Sequence, residues 1–261
     1  MAGAILSAES RVVAADALAG LDAVILAGGL GTRLASVLPD RQKVVGEIAG
    51  RPLLHHLLHQ FSEVGISRLV LALGHRAEQV TAAAAEWARS GIELLESVEP
   101  APLGTGGALR HALPRLRSDT LLVANGDSFA AADLASLLAF HRSRRARITL
   151  LLVTIKDASR YGRVRVDATG AVIAFDEKPA EPDAMPAPTS INAGIYLMDR
   201  DVVAEITAER PVLLEREVIP AYIGKGLYGH LQLVPFIDIG TPESCAAAEQ
   251  FFAARANGRE A

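Results

Sequence analysis

The sequence has a single cysteine, no long hydrophobic run and no block of basic residues, and each of these absences excludes a class of protein. Cys245 alone can form neither an internal disulfide framework nor a cysteine zinc site, and a lone cysteine fits a reducing compartment. No apolar stretch approaches the roughly 18 residues that a membrane-spanning helix needs. The net charge of −4 argues against nucleic acid as a partner. We therefore expect a cytoplasmic protein with no membrane and no nucleic-acid partner.

The first 21 residues also lack the pattern of a signal peptide. They are rich in Ala, Leu and Val, but no Lys or Arg precedes Arg11, and charged residues interrupt the apolar stretch. We expect residues 1–21 to form an N-terminal extension that lies outside the core. The remainder, residues 22–256, is long enough and apolar enough to form one large domain.

The most informative stretch covers residues 24–34, where a short apolar run breaks into three glycines within four positions. Glycines let the backbone bend sharply and approach a ligand closely, and Arg33 follows as a donor suited to phosphate oxygens. A P-loop is excluded because no Lys-Ser or Lys-Thr follows, and the dinucleotide fingerprint is excluded because Leu34 replaces its third glycine. The pattern predicts another kind of phosphate-binding turn, at the carboxyl end of a strand.

The order of apolar patterns predicts the fold class. Runs typical of strands alternate with helical spacing over residues 52–142, which indicates βαβ units and a parallel sheet. After an apolar strand at 148–155 the pattern changes, and residues 162–166 and 171–175 read as a hairpin. We expect an α/β protein with a Rossmann-like mixed, mainly parallel sheet flanked by helices, a small antiparallel subregion, and a C-terminal helix over 242–256.

Asp127 and Glu99 are two further acidic residues to which the sequence gives candidate roles. Asp127 follows an apolar strand at 120–124, and such a position suits magnesium, which takes oxygen ligands. Asn-Gly-Asp is equally typical of a plain turn. Glu99 opens a loop rich in Pro and Gly before a helix expected from about Ala108, and the alternative reading is a solvated loop carboxylate.

These motifs together resemble the sugar-1-phosphate nucleotidyltransferases, or NDP-sugar pyrophosphorylases. Residues 26–34 are similar to the family's L-A-G-G-x-G-T-R-L signature, and Lys43 stands at the spacing of its lysine, although Val44 replaces the usual proline. Further matches, in the family's order, are L-G-T-[AG]-G-A-L at 103–109, G-D at 126–127, Y-G-x-V at 161–164, E-K-P at 177–179, N-A-G-I-Y at 192–196 and [FW]-x-D-[IV]-G-T-P at 236–242.

The resemblance implies a role for each of these positions. Arg33, Lys43 and Asp127 are the implied catalytic residues, and Asp127 with Asp238 would bind magnesium (Mg2+). The implied nucleotide-binding residues are Leu26, Ala27, Gly28, Gly29, Gly31, Thr32, Arg33, Glu99, Gly104 and Thr105. The implied sugar-phosphate-binding residues are Asn125, Tyr161, Gly162, Glu177, Lys178 and Asn192. The nucleotide-binding part would cover about 22–128 and the sugar-binding part about 129–240.

The implied reaction joins an NTP and a sugar 1-phosphate into an NDP-sugar and pyrophosphate. Glu99 stands where relatives read the base, and a carboxylate accepts both the N1–H and the amino group of guanine, which favours GTP. The runs 99–109 and 236–248 look most like the D-glycero-α-D-manno-heptose 1-phosphate guanylyltransferases. Mannose, glucose and N-acetylmuramate 1-phosphates, with GTP, dTTP or UTP, stay open, as do a homodimer and a non-catalytic regulatory subunit that binds nucleotide sugar.

Overall fold

The computed structural model describes residues 16–29, 41–85, 87, 91–155, 158, 161–176, 189–239 and 241–256. Its strands are β1 (Asp22–Ala27), β2 (Glu47–Ile48), β3 (Arg51–Pro52), β4 (Arg68–Leu73), β5 (Glu93–Val98), β6 (Thr120–Asn125), β7 (Ser128–Ala130), β8 (Ile148–Ile155), β9 (Arg163–Val166), β10 (Val172–Asp176), β11 (Thr189–Asp199), β12 (Leu227–Leu231) and β13 (Phe236–Asp238). Its α-helices are α1 (Leu53–Ser62), α2 (Ala77–Ala84), α3 (Gly104–Ala112), α4 (Leu134–Arg144), α5 (Arg200–Ala204), α6 (Ile219–Ala221) and α7 (Pro242–Ala256). The described residues also form two 3-10 helices, Lys43–Val45 and Leu113–Arg115, and a π-helix, Leu214–Val218.

The central sheet is mixed, as the sequence predicts. Strands β5, β4, β1 and β6 lie side by side in that order, and all are parallel. The long strand β11 then pairs antiparallel with β6 and with β8, and β12 lies parallel beside β8. The predicted hairpin is formed by β9 and β10, and it joins the sheet next to β11. The predicted fold class, a mixed sheet flanked by helices, is confirmed.

Both faces of β1, β4 and β6 are buried, which explains the nearly continuous apolar sequences of these strands. Ile25 of β1 belongs to the core on the face covered by α1, α2, α4 and α7, whereas Val24 belongs to the core on the face covered by α3 and α5. Polar side chains cannot be accommodated along these strands without partners. They are therefore concentrated where the strands end.

Helix α3 begins earlier than the sequence predicts, at Gly104 instead of about Ala108. The backbone N–H groups of Gly106 and Gly107 donate to the carbonyl oxygen of Val212, at 2.9 and 3.2 Å. A Cβ on Gly104 would lie 2.5 Å from that same oxygen. Glycine usually disfavours a helix, but at these positions the missing side chain lets α3 contact the segment at Val212 closely.

The last residues before β1, within the predicted N-terminal extension, pack on the domain. Leu18 is fully buried, and its N–H donates to the carbonyl oxygen of Val64 at 2.9 Å. An apolar side chain next to the first strand gains more from joining the core than from exposure to water. Residues 1–15 lie outside the described part of the chain.

Helix α7 has the bounds that the sequence predicts, and its apolar residues pack on the domain. The ring of Phe252 stacks on His56, with 3.8 Å between the ring centroids, and meets Phe129 edge-on at 4.9 Å. The carboxylate of Glu249 accepts a hydrogen bond of 2.7 Å from the N–H of Ala49. In the described ranges, no helix combines the length and the hydropathy that crossing a bilayer requires.

Replacing Phe252 by Ala should lower the free energy of unfolding by about 3 kcal/mol, because the ring is 3 % exposed and its loss leaves a cavity beside Phe129. Urea denaturation followed by circular dichroism measures this change. The matched control is Gln250→Ala on the exposed side of the same helix, which should stay close to wild type. Equal stability of the two variants would contradict this packing of α7.

Candidate active site

A cleft of about 730 Å³ lies where the carboxyl ends of the parallel strands meet, the usual place for a ligand in such folds. It brings together predicted residues from distant parts of the chain, on the nucleotide side and on the sugar side. Predicted residues that line it are Leu26, Ala27, Gly28, Gly29, Lys43, Glu99, Gly104, Thr105, Asn125, Asp127, Tyr161, Gly162 and Asn192. Predicted residues Gly31, Thr32, Arg33, Glu177 and Lys178 lie outside the described residues.

Glu99 directly follows β5 and faces the glycine turns that follow β4 and β1. A Cβ on Gly74 would lie 2.4 Å from Glu99 Oε1, and a Cβ on Gly28 would lie 3.2 Å from it. The other carboxylate oxygen accepts a hydrogen bond of 3.0 Å from the N–H of Leu103. Burial is the largest influence on this carboxyl, and it raises the pKa of Glu99 above its ordinary value. Glu99 is therefore a partly desolvated acceptor in the wall of the cleft, not a solvated loop carboxylate.

Gln42 holds the glycine turn in place, and it was not among the predicted residues. Its side-chain amide nitrogen donates to the carbonyl oxygens of Ala27 and Gly29, both at 2.8 Å, and of His75 at 3.3 Å. The side-chain oxygen accepts from the N–H of Lys43. Gln42 is 4 % exposed, and it therefore ties the strand end, the turn and the lysine into one unit. A lone Gln carries no motif, so only its position beside Lys43 could have drawn attention.

Lys43 and Asp127 form the charged centre of the cleft. Lys43 Nζ lies 3.5 Å from Asp127 Oδ2, and the side chains are 16 % and 48 % exposed. Val44 is buried in the core and contributes to the packing above Gly126, where a Cβ would lie 3.4 Å from Val44 Cγ2. Valine in place of the family's proline thus leaves Lys43 directed into the cleft.

A small sheet outside the central one brings Asp238 next to Asp127. Strand β13 pairs antiparallel with β7, so that Asp238 lies opposite Ser128, and the N–H of Ile239 donates to the carbonyl oxygen of Asp127 at 2.9 Å. Burial raises the pKa of the nearby Cys245 thiol, and the charge of Asp238 raises it further. The two predicted metal aspartates, 111 positions apart in sequence, are thus structural neighbours.

The donor set of these aspartates suits magnesium better than a transition metal. In the described ranges, no group of three or more His, Cys, Asp and Glu side chains is placed to hold a metal ion. Magnesium is commonly held by one or two carboxylates, with water and substrate phosphates completing its shell. Asp127 and Asp238 fit that requirement, whereas they do not form a closed protein cage.

The part of the cleft that contains the residues predicted to bind the sugar phosphate is built around Asn192. Its backbone N–H donates to the carbonyl oxygen of Gly162 at 2.9 Å, which joins the two predicted motifs. Its side-chain oxygen accepts from the N–H of Gly194 at 3.0 Å, and its amide nitrogen donates to the hydroxyl of Tyr196 at 2.8 Å. These bonds determine which way the amide is oriented.

Glu215 also lines this cleft and was not among the predicted residues. It lies in the π-helix and accepts hydrogen bonds from both sides of the cleft. The sequence does not distinguish Glu215 from Glu217, a second glutamate two positions later in the same segment.

Comparison with known proteins gives consistent matches over most of the chain. The family model described as nucleotidyl transferase matches residues 22–255. A mannose-1-phosphate guanylyltransferase of Mycobacterium tuberculosis is 40 % identical over 227 residues, which cover 85 % of this chain and 62 % of that protein. A D-glycero-α-D-manno-heptose 1-phosphate guanylyltransferase of Aneurinibacillus thermoaerophilus is 30 % identical over 231 residues, which cover 88 % of this chain and 97 % of that protein.

A solved structure shares the fold. HddC from Yersinia pseudotuberculosis, complexed with GMP-PN, superposes with a TM-score of 0.75 at 28 % identity, covering 89 % of this chain and 99 % of that one. The chain spans less than two thirds of the mycobacterial relative and nearly all of HddC.

Replacing Gln42 by Glu should lower the free energy of unfolding by at least about 2 kcal/mol, because a carboxylate would face carbonyl oxygens that it cannot satisfy. The substitution is nearly isosteric, so the change reports on hydrogen bonding and not on volume. Urea denaturation measures it, and Gln250→Glu on the surface is the control. A stability loss no larger than that of the control would show that Gln42 does not hold the turn.

Proposed function

The chain belongs to the nucleotidyl transferase family, and on that premise we propose that it transfers a nucleotidyl group from an NTP, preferably GTP, to a sugar 1-phosphate. Family membership confirms the resemblance that the sequence motifs indicate. An oxygen of the sugar phosphate attacks the α-phosphorus and forms the new O–P bond. The bond from that phosphorus to the bridging oxygen breaks, and pyrophosphate leaves.

One observation carries this proposal: a single cleft contains the glycine turn after β1, the polar groups of Tyr161, Gly162 and Asn192, and Lys43, whose Nζ lies 3.5 Å from Asp127 Oδ2. A reaction between two bound phosphates needs two adjacent subsites and a cation between them. It needs no protein nucleophile, so that catalysis depends on positioning and on neutralising charge.

In this proposal the side chains divide the work between the two substrates. Lys43 would contact the α-phosphate and the incoming sugar phosphate, and Arg33 would hold the triphosphate. Asp127 and Asp238 would hold magnesium, which when bound supplies positive charge to the phosphates. Gln42 keeps the turn and Lys43 in one arrangement before substrate arrives, so little reorganisation is left for the reaction itself.

The choice of base follows from Glu99. A carboxylate in the cleft wall accepts both the N1–H and the amino group of guanine, whereas uracil or thymine offers it one N–H. The relatives named as guanylyltransferases, at 30 % and 40 % identity over most of this chain, support GTP.

The choice of sugar follows from the relatives that the chain matches. We propose the manno-configured sugars as a class, with the heptose 1-phosphate first, because the heptose relative matches over nearly its whole length. Mannose 1-phosphate is the alternative that the mycobacterial relative favours. The division into a nucleotide-binding part at 22–128 and a sugar-binding part at 129–240, a homodimer and a cytoplasmic location stay predictions.

The experiment that tests this proposal is pyrophosphate release with magnesium across four NTPs and the 1-phosphates of the heptose, mannose, glucose and N-acetylmuramic acid. We expect the strongest activity with GTP and a manno-configured sugar. Activity only with another NTP and sugar 1-phosphate would support the proposed reaction and contradict the proposed substrates. Binding of nucleotide sugar without any turnover would favour a regulatory subunit instead.

Asp127→Asn and Asp238→Asn should each reduce kcat by about a hundredfold or more, because an amide is a poor magnesium ligand. Thermal denaturation should show folded proteins in both cases. Asp201→Asn, on the exposed first turn of α5, is the matched control and should keep wild-type kcat. Full magnesium-dependent activity in the two variants would exclude these aspartates as metal ligands.

The KM for GTP should rise as the pH falls through the raised pKa of Glu99, because only the ionised carboxylate can accept both guanine donors. Since the pKa of Glu99 is raised, this loss should begin at a higher pH than for an ordinary glutamate. Glu99→Gln should show a higher KM at neutral pH and no such rise. An identical pH profile for the two proteins would rule out this role of Glu99.

A further inference from the structure

Glu215 connects the two sides of the cleft through hydrogen bonds. Its Oε2 accepts a bond of 3.0 Å from the hydroxyl of Thr105, on the nucleotide side. Its Oε1 accepts bonds of 3.3 Å from the amide of Asn125 and from the hydroxyl of Tyr196, on the sugar side. The partners of the Glu215 carboxylate among the described residues are all neutral donors. A carboxylate can accept from three such donors at once.

The chain of bonds continues from Tyr196 to the sugar-binding asparagine. The hydroxyl of Tyr196 donates to Glu215 and accepts from the amide nitrogen of Asn192 at 2.8 Å. Burial raises the pKa of Tyr196 well above its usual range, and the negative charge of Glu215 raises it further, so the phenol keeps its proton. With its side-chain oxygen held by Gly194, the Asn192 amide has one orientation.

The position of Glu215 depends on α3. The hydroxyl of Thr105 accepts a hydrogen bond of 2.8 Å from the N–H of Leu214, so the first turn of α3 holds the π-helix at the residue before Glu215. The glycines of that turn allow the close approach to Val212. The carboxylate is therefore placed by the nucleotide side and acts on the sugar side.

We propose that Glu215 is a positioning residue that orients Asn192 and Asn125 for the hydroxyl groups of the sugar 1-phosphate. It acts through Tyr196 and through the Asn125 amide, and it needs no contact with the reacting phosphates. This inference rests on the proposed function, because it assigns Glu215 to the sugar side of that reaction.

Replacing Glu215 by Gln tests this role with little change in volume. The new amide nitrogen would face a donor, and only one acceptor oxygen would remain for three donors. We expect the KM for the sugar 1-phosphate to rise about tenfold or more, as for the loss of one good hydrogen bond. The KM for GTP should change by less than about threefold, since the Thr105 hydroxyl can rotate and still accept from Leu214.

The matched control is Glu217→Gln, two positions along the same π-helix. Glu217 is exposed, and its carboxylate binds Arg210 and the N–H of Leu213 instead of the cleft. This variant should keep both KM values. A sugar KM in Glu215→Gln equal to that of the control, or equal rises in both KM values, would overturn the proposal.

Tyr196→Phe supplies the second variant, because it breaks the link from Glu215 to Asn192. Its effect on the sugar KM should be similar, and the double variant should add little to either single change. Fully additive effects would show that the residues act separately and would overturn the proposal. If Glu215→Gln does not fold, the KM of Tyr196→Phe for the sugar 1-phosphate is the test. A KM equal to that of the wild type would then overturn the proposal.

If the wild-type protein shows no turnover, the proposed function is refuted. The role of Glu215 is then tested by a binding measurement. Calorimetric titration with GDP-mannose then compares wild type, Glu215→Gln and Glu217→Gln. An affinity about tenfold weaker in Glu215→Gln alone supports the positioning role, and equal affinities in all proteins overturn it.

Discussion

Burial of both faces of β1, β4 and β6 is the constraint on which the rest of the structure depends. Val24 and Ile25 of β1 point into two different cores, so the strand has no side left for polar chemistry. Hydrogen-bonding groups are available only where the strands stop, and the parallel register makes β1, β4, β5 and β6 stop at the same edge. The cleft is a consequence of how the core is filled.

At that edge, neutral amides determine the shape and charged groups supply the chemistry. The amide of Gln42 satisfies three carbonyl oxygens around the glycine turn, and the amide of Asn192 is held between Gly194 and Tyr196. Such networks are rigid when every member has a partner. Lys43 and Asp127 stay partly exposed, and in the proposed reaction they would exchange their mutual contact for phosphate and metal.

The sequence predicts those parts of this arrangement that depend on neighbouring residues. The strand and turn of residues 24–29, the hairpin of β9 and β10 and the bounds of α7 follow from local patterns. The start of α3 was predicted too late, because a glycine's poor helix propensity was outweighed by contacts with Val212, more than a hundred residues away. Gln42 and Glu215 were missed for the same reason. Apart from Lys43 beside Gln42, their partners are brought to them only by the folded chain, and neither residue belongs to a local motif.

The contact between Ala49 and Glu249 has a consequence for how the protein is made. It joins positions 200 residues apart, and Asp127 and Asp238 likewise meet only when β13 has joined β7. A chain emerging from the ribosome can form β1, β4 and their helices early, but the bonds that complete the cleft must wait for its last elements. Contacts so distant in sequence are also slow to form. The nascent protein therefore passes through a stage in which the glycine turn exists without the strand that brings Asp238 to it.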